Sequence, residues 1–189
     1  MQKQNGHILI GQNLVQMVFI WYRINLKKRI YIHSKYNMTN IHLEFMKEAI
    51  AEARKGLEEG GIPIGSVIVH KNKIIGRGHN QRVQSNNPLL HGEMDALQNT
   101  GRLDSKVYKE CTIYTTLSPC IMCSGTIVHY KIPLVVVGEN ETVKDTTICE
   151  DFLITNNIEI INLDMDDCKS MMNSFIKKNE NLWHEDISI

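Results

Sequence analysis

His91-Gly92-Glu93 and Pro119-Cys120-Ile121-Met122-Cys123, whose first cysteine lies 29 positions beyond the histidine, constrain this chain more than any other feature. One imidazole and two thiols at these spacings supply three zinc ligands, and Glu93 adds a carboxylate that need not bind the metal. Three protein ligands leave one tetrahedral position open, which separates catalytic zinc sites from closed structural ones. Two thiolates and a neutral imidazole cancel the charge of the ion, which keeps the Lewis acidity to lower its water's pKa towards about 7. Glu93 lies about 200° from His91 round a regular helix. Joint chelation is therefore disfavoured, and the carboxylate suits a proton shuttle. Ser118 is expected to cap a helix and Pro119 to open its first turn. Cys120 and Cys123 then fall near the positive end of the helix dipole, where thiolates are favoured.

Two blander readings compete. A Cys-x-x-Cys pair can be redox-active. A closed structural zinc site needs a fourth ligand, for which Cys111 and His129 are the nearest candidates. Cys111 begins the apparent strand Cys111–Thr116, a common place for a buried, inert thiol.

The chain has 189 residues, enough for one domain with a sizeable core. Its formal net charge of zero conceals an asymmetry. Six of the 21 Lys and Arg lie in residues 1–38, which hold no Asp or Glu, leaving 15 basic against 21 acidic residues in the remainder. A body that acidic argues against a nucleic-acid partner, which needs a basic surface. Five cysteines, two of them in the metal motif, imply no disulfide framework and fit a reducing compartment. Residues 1–38 read as an N-terminal extension to a domain at 39–189. Ile8 to Ile24 is apolar-rich but interrupted by Gly11, Gln12, Asn13 and Gln16, so it falls short of a transmembrane helix and no stable membrane association is expected. The basic, acid-free segment has only Ser34 as a serine, fewer than a presequence normally carries. A disordered tail, a targeting segment and a start at Met38 remain open for it.

Along the domain, Phe45, Met46, Ala49, Ile50, Ala53 and Leu57 recur at helical spacing, and Gly60-Gly61 ends that helix. Pro63–Val69 and Ile74–Gly78 read as a hairpin turning at Lys71-Asn72-Lys73. Ser85–Pro88 is a loop delivering His91 to a helix that runs to Asn99. Cys111–Thr116, Leu134–Gly138 and Ile158–Leu163 read as strands. Helices are expected over Pro119–Tyr130, Ile148–Thr155 and Met165–Lys178. Strands alternating with helices argue an α/β sandwich with a parallel portion.

The pattern H-x-E…P-C-x-x-C is the established signature of zinc nucleobase deaminases. Beyond it, Glu58–Gly65, Gly76–Asn80, Gly101–Leu103, Val107–Lys109, Tyr114–Cys120, Val136–Asn140 and Trp183–Ile187 resemble the yeast-type cytosine deaminases of the cytidine deaminase superfamily. The resemblance covers about Leu43 to Ile187. It implies a three-layer α/β/α sandwich with a five-stranded mixed sheet, a homodimer, and hydrolysis of free cytosine to uracil and ammonia in pyrimidine salvage. The implied compartment is the cytoplasm, with the nucleus, or an organelle addressed by residues 1–38, left open. Carried over residue by residue, His91, Cys120 and Cys123 hold one Zn²⁺ per chain and Glu93 shuttles protons. Asn80 bonds the base carbonyl and ring. Gly92 offers its backbone N–H. Ser118 holds the amino group or released ammonia through its carbonyl, with Leu117 nearby. Asp186 accepts the ring N–H at N1, and Ile64 and Trp183 pack round the base. Because a nucleoside carries ribose at N1, such an Asp selects the free base. The segment 182–189 is expected to close as a lid.

Three departures bear on specificity. Val83 and Val143 stand where the family has pocket phenylalanines, His184 replaces an aromatic beside Trp183, and the loop after Asn140 is about two residues longer. The valines are expected to open the pocket at the C5–C6 edge of the base, with Phe152 the candidate to refill it. Guanine deaminase and transfer RNA adenosine deaminase are the rival activities. The latter usually carry His-Ala-Glu where Gly92 stands here. A non-catalytic zinc-binding dimerisation partner is the rival of another class, and the intact Glu93 counts against it.

Overall fold

Strands buried on both faces organise the centre of the molecule. The computed structural model describes residues 40–143 and 146–187; the expectations for residues 1–38 lie outside them. Five strands, β1 (Gly65–His70), β2 (Lys73–His79), β3 (Cys111–Thr115), β4 (Leu134–Val137) and β5 (Glu159–Asn162), form one sheet in the order β2-β1-β3-β4-β5. Successive side chains alternate between its faces. Ile68, Ile113, Val135, Val137 and Ile160 pack with Ala96, Leu97, Ile127 and Leu153 on one side. Val67, Val69, Tyr114 and Val136 pack with Met46, Ala49, Ile50 and Cys168 on the other. Each fully buried Val, Ile or Leu contributes roughly 1.5–3 kcal/mol.

The helices cover both faces, so the expected three-layer sandwich is found. α1 (Asn40–Glu58) and α6 (Asp166–Lys178) lie on one side; α2 (Gly92–Asn99), α4 (Ile121–Tyr130) and α5 (Thr146–Thr155) lie on the other. A short α3 (Ser105–Tyr108), capped by Asp104 accepting from the Lys106 N–H at 2.8 Å, precedes β3. α7 (Glu180–Asp186) ends the described chain's regular structure.

The sheet is mixed, as expected. β1 is antiparallel to β2 and to β3, whereas β3, β4 and β5 run parallel. β2 and β3 therefore point the same way and end on the same edge of the sheet, with the start of β1 between them. Gly65 pairs with His79, and Ser66 with Thr115. The hairpin turns on Lys71 and Asn72, both at positive φ, the type I′ geometry that matches strand twist. A Cβ on Gly65 would lie 2.2 Å from the Ala49 carbonyl oxygen, so α1 meets the sheet at backbone contact there.

Candidate active site

The shared edge of β2 and β3 brings the motif together. Asn80 directly follows β2. His91 is the residue before α2, in extended conformation, and Cys120 stands in the same relation to α4. Both helices thus start at the site and aim their N-terminal dipoles at it. Cys120, and not Ser118, occupies the cap position: the Cys120 carbonyl accepts the Ser124 N–H at 2.8 Å. The expected Ser118 cap is corrected accordingly. The Ser118 hydroxyl instead donates to Glu150 Oε1 at 2.9 Å, and its N–H to the Glu139 carbonyl at 2.9 Å. The cysteines still lie in the first turn of α4, so the electrostatic argument survives the shift.

His91, Cys120 and Cys123 place their ligating atoms within 4.8 Å of one another, and no fourth residue joins this cluster among the described residues. Cys120 Sγ stands 3.6 Å from His91 Nδ1. Ligands at the usual zinc–sulfur and zinc–nitrogen distances, set tetrahedrally, stand about 3.5 Å apart. The cluster fits zinc on geometry as well as donor chemistry. Cys111 is buried and donates to the Val107 carbonyl, and burial pushes its thiol up to about 11. His129 rests edge-on against Tyr130. Neither candidate fourth ligand reaches the cluster.

Charge is shared closely here. The Cys123 thiol donates to Cys120 and, against the cost of burial, holds Cys120 down at about 4; Cys123 itself is raised well above the usual thiol range. Burial pulls the His91 imidazole down, but Cys120, Glu93 and Asp186 around it outweigh that and raise it. Glu93 is 4% exposed, and burial, with the neighbouring Cys120 charge, pushes its carboxyl up to about 7. A carboxyl poised near neutrality is suited to both taking and giving a proton.

The remaining carried-over residues gather round this cluster. The Ile64 carbonyl accepts the Asn80 N–H at 2.8 Å, and a Cβ on Gly92 would stand 2.9 Å from that same oxygen. A side chain at position 92 would therefore crowd the Ile64 carbonyl, one residue before β1. Asn80 Nδ2 donates to Asp186 Oδ1 at 3.2 Å, and His91 Nε2 lies 3.8 Å from that oxygen. Ile64, Leu117 and Trp183 pack in one buried cluster with Ile62, Met172 and Phe175, and Val143 lies against it. Val83 is 43% exposed.

The pattern of the cytidine and deoxycytidylate deaminase zinc-binding region matches residues 39–139. The chain belongs to that family. Cytosine deaminase of Candida albicans is 48% identical to it over 143 residues, 75% of this chain and 93% of that one. The tRNA-specific adenosine deaminase of Buchnera aphidicola is 35% identical over 142 residues, 71% of this chain and 87% of that one. A solved structure described in terms of A-to-I editing by transfer RNA deaminases superposes with a TM-score of 0.58 at 22% identity, over 68% of this chain and 99% of that one. This last likeness establishes the fold alone. Among the described residues, no helix of this family member is long and apolar enough to cross a membrane.

Two side chains that motif reasoning passed over also belong to this neighbourhood. Arg82 donates to Asp186 Oδ1 at 2.8 Å. Glu150, buried, accepts from Ser118 and, at 3.0 Å, from Asn140 Nδ2. The signal for Arg82 was its place two residues beyond Asn80. Glu150 carried none.

Proposed function

We propose that this deaminase-family chain hydrolyses free cytosine to uracil and ammonia at one zinc ion held by His91, Cys120 and Cys123. The observation that carries this reading is the buried Asn80–Asp186 pair: an amide donor beside a carboxylate acceptor, the carboxylate standing 3.8 Å from His91 Nε2. That pairing complements a ring edge on which a carbonyl stands next to an N–H. Free cytosine presents such an edge at C2 and N1, and cytidine, whose N1 carries ribose, does not. The 48% identity to a cytosine deaminase over most of both chains supports the same substrate.

Zinc, when bound, supplies the Lewis acidity that makes water nucleophilic at neutral pH. Glu93 takes the proton from the attacking water and returns it to the leaving amino group. Asn80 Nδ2 and the Gly92 N–H bind the base carbonyl and ring, Asp186 accepts the N1 proton, and the Ser118 carbonyl receives the amino group. Ile64, Leu117 and Trp183 enclose the base and exclude water.

A catalytic domain at residues 39–189 is supported by the family match, which begins at residue 39. A homodimer is supported by Ile121, Ile148 and Phe152, which neighbouring α4 and α5 leave exposed. Pyrimidine salvage in the cytoplasm suits a free-base substrate and five free cysteines. The test is ammonia release by purified protein from cytosine, cytidine, guanine and an adenosine-containing transfer RNA. Cytosine alone is expected to react; turnover of the transfer RNA or guanine in its place would overturn the reading.

A further inference from the structure

Arg82 closes a ring of hydrogen bonds at the site. Its backbone N–H donates to Asn80 Oδ1 at 3.1 Å, which leaves Asn80 Nδ2 to face Asp186. Its guanidinium Nη1 donates to Asp186 Oδ1 at 2.8 Å, and Nη2 stands 3.8 Å from Glu185 Oε1. One residue therefore orients both members of the Asn80–Asp186 pair. Among the described residues, the two donors to Asp186 both fall on Oδ1. Oδ2 is the oxygen they leave for a ligand.

The ion pair is not a surface ornament. The Asp186 side chain is 3% exposed and that of Arg82 15%. A hydrogen bond to a charged group in such a setting is worth more than an exposed pair. Arg82 Nε is buried with no partner among the described residues, a cost to folding. That cost suits a side chain kept for what its far end does. Asp186 and Glu185 belong to α7, which packs on α6 and brings Trp183 into the cluster with Ile64 and Leu117. The loop after β2 thus grips α7 through one guanidinium.

We infer that Arg82 is a positioning residue: by holding Asp186, and α7 with it, against Asn80, it sets the affinity for the free base without entering the proton chemistry at Glu93. This rests on the cytosine reading for its substrate, not for its anchoring of α7. The test compares Arg82→Gln, Arg82→Lys, Asp186→Asn and the double variant Arg82→Gln/Asp186→Asn, each at matched zinc content. Arg82→Gln is expected to raise the KM for cytosine about ten- to a hundredfold, the range for losing a hydrogen bond to a charged group, with kcat within about threefold of the natural protein. Arg82→Lys, which keeps the charge without the fork, should recover part of that loss. The double variant should be little worse than Asp186→Asn, because a residue acting through another is not additive with it. An unchanged KM in Arg82→Gln, or additive losses in the double variant, would overturn the inference. Amide hydrogen exchange supplies a readout that needs no substrate. Arg82→Gln should speed exchange over Glu180–Asp186 and leave β3 and β4 unchanged. If the natural protein releases no ammonia from cytosine, the substrate reading fails while this measurement still decides the role of Arg82: unchanged exchange at α7 overturns it.

Discussion

Asp186 Oδ1 lies 3.8 Å from His91 Nε2, so a carboxylate from the C-terminal helix stands against the imidazole that serves the metal cluster. The contact ties the last helix to a residue 95 positions earlier in the chain. Truncating Asp186 to Ala leaves Arg82 and Asn80 without their shared acceptor. Asp186→Ala should lower kcat/KM for cytosine by about tenfold or more while zinc content stays at the natural level. Loss of zinc in step with activity would assign Asp186 to metal retention instead.

Gly92 offers a sharper geometric test. The Ile64 carbonyl oxygen that would meet a Cβ at 2.9 Å is the same one that holds the Asn80 backbone. Gly92→Ala must shift that strand end, and Asn80 with it. Displacements approaching 1 Å cost on the order of a hundredfold in rate. A loss of tenfold to a hundredfold in kcat/KM with unaltered zinc binding is therefore expected. Natural activity in Gly92→Ala would show that Asn80 is not aligned through Ile64.

The fold was largely legible because periodicity is a property of neighbouring residues. Val67-Ile68-Val69 alternates between two cores, and the run from Phe45 to Leu57 reads as one helix. Three kinds of feature were not legible. The start of α4 depends on which carbonyl accepts the first helical N–H, and Ser118 was drawn away by Glu150, 32 residues on. The four-residue α3 is too short to show a period. Arg82 and Asp186 meet across 104 positions, and a single sequence offers no sign of which surface-type charges will be buried together. The same reason explains Gly65, Gly76 and Gly78. Each read as an ordinary strand residue, but each lets a helix backbone approach the sheet.

The two valines now separate. Val143 packs against the cluster that holds Ile64, Leu117 and Trp183, whereas Val83 lies outside that cluster and is 43% exposed. Base–aromatic stacking is typically worth about 1–3 kcal/mol. Val143→Phe should lower the KM for cytosine and reduce relative turnover of 5-methylcytosine, while Val83→Phe should leave the ratio of kcat/KM for the two bases nearly constant. The ratio responding to Val83 and not to Val143 would place the pocket wall elsewhere.

Metal removal tests the cluster directly. Dialysis against a strong chelator should abolish ammonia release, and one equivalent of zinc per chain should restore it. Cys120→Ser should weaken zinc retention, since a hydroxyl is a poorer ligand than a thiolate. Full activity in protein shown by metal analysis to be zinc-free would remove the metal from the account.

The most direct measurement is the turnover of cytosine by Glu93→Gln protein carrying its full complement of zinc. Glu93 is buried beside the cluster with its carboxyl pushed up to about 7, while Gln keeps the shape and surrenders the proton. General acid–base catalysis is worth roughly 10²–10⁴-fold, and one group serving both proton steps should lose at least that. The account predicts a properly folded, zinc-loaded variant whose kcat falls by about a hundredfold or more. Retention of more than about a tenth of the natural kcat, below the usual range for such a loss, would contradict it.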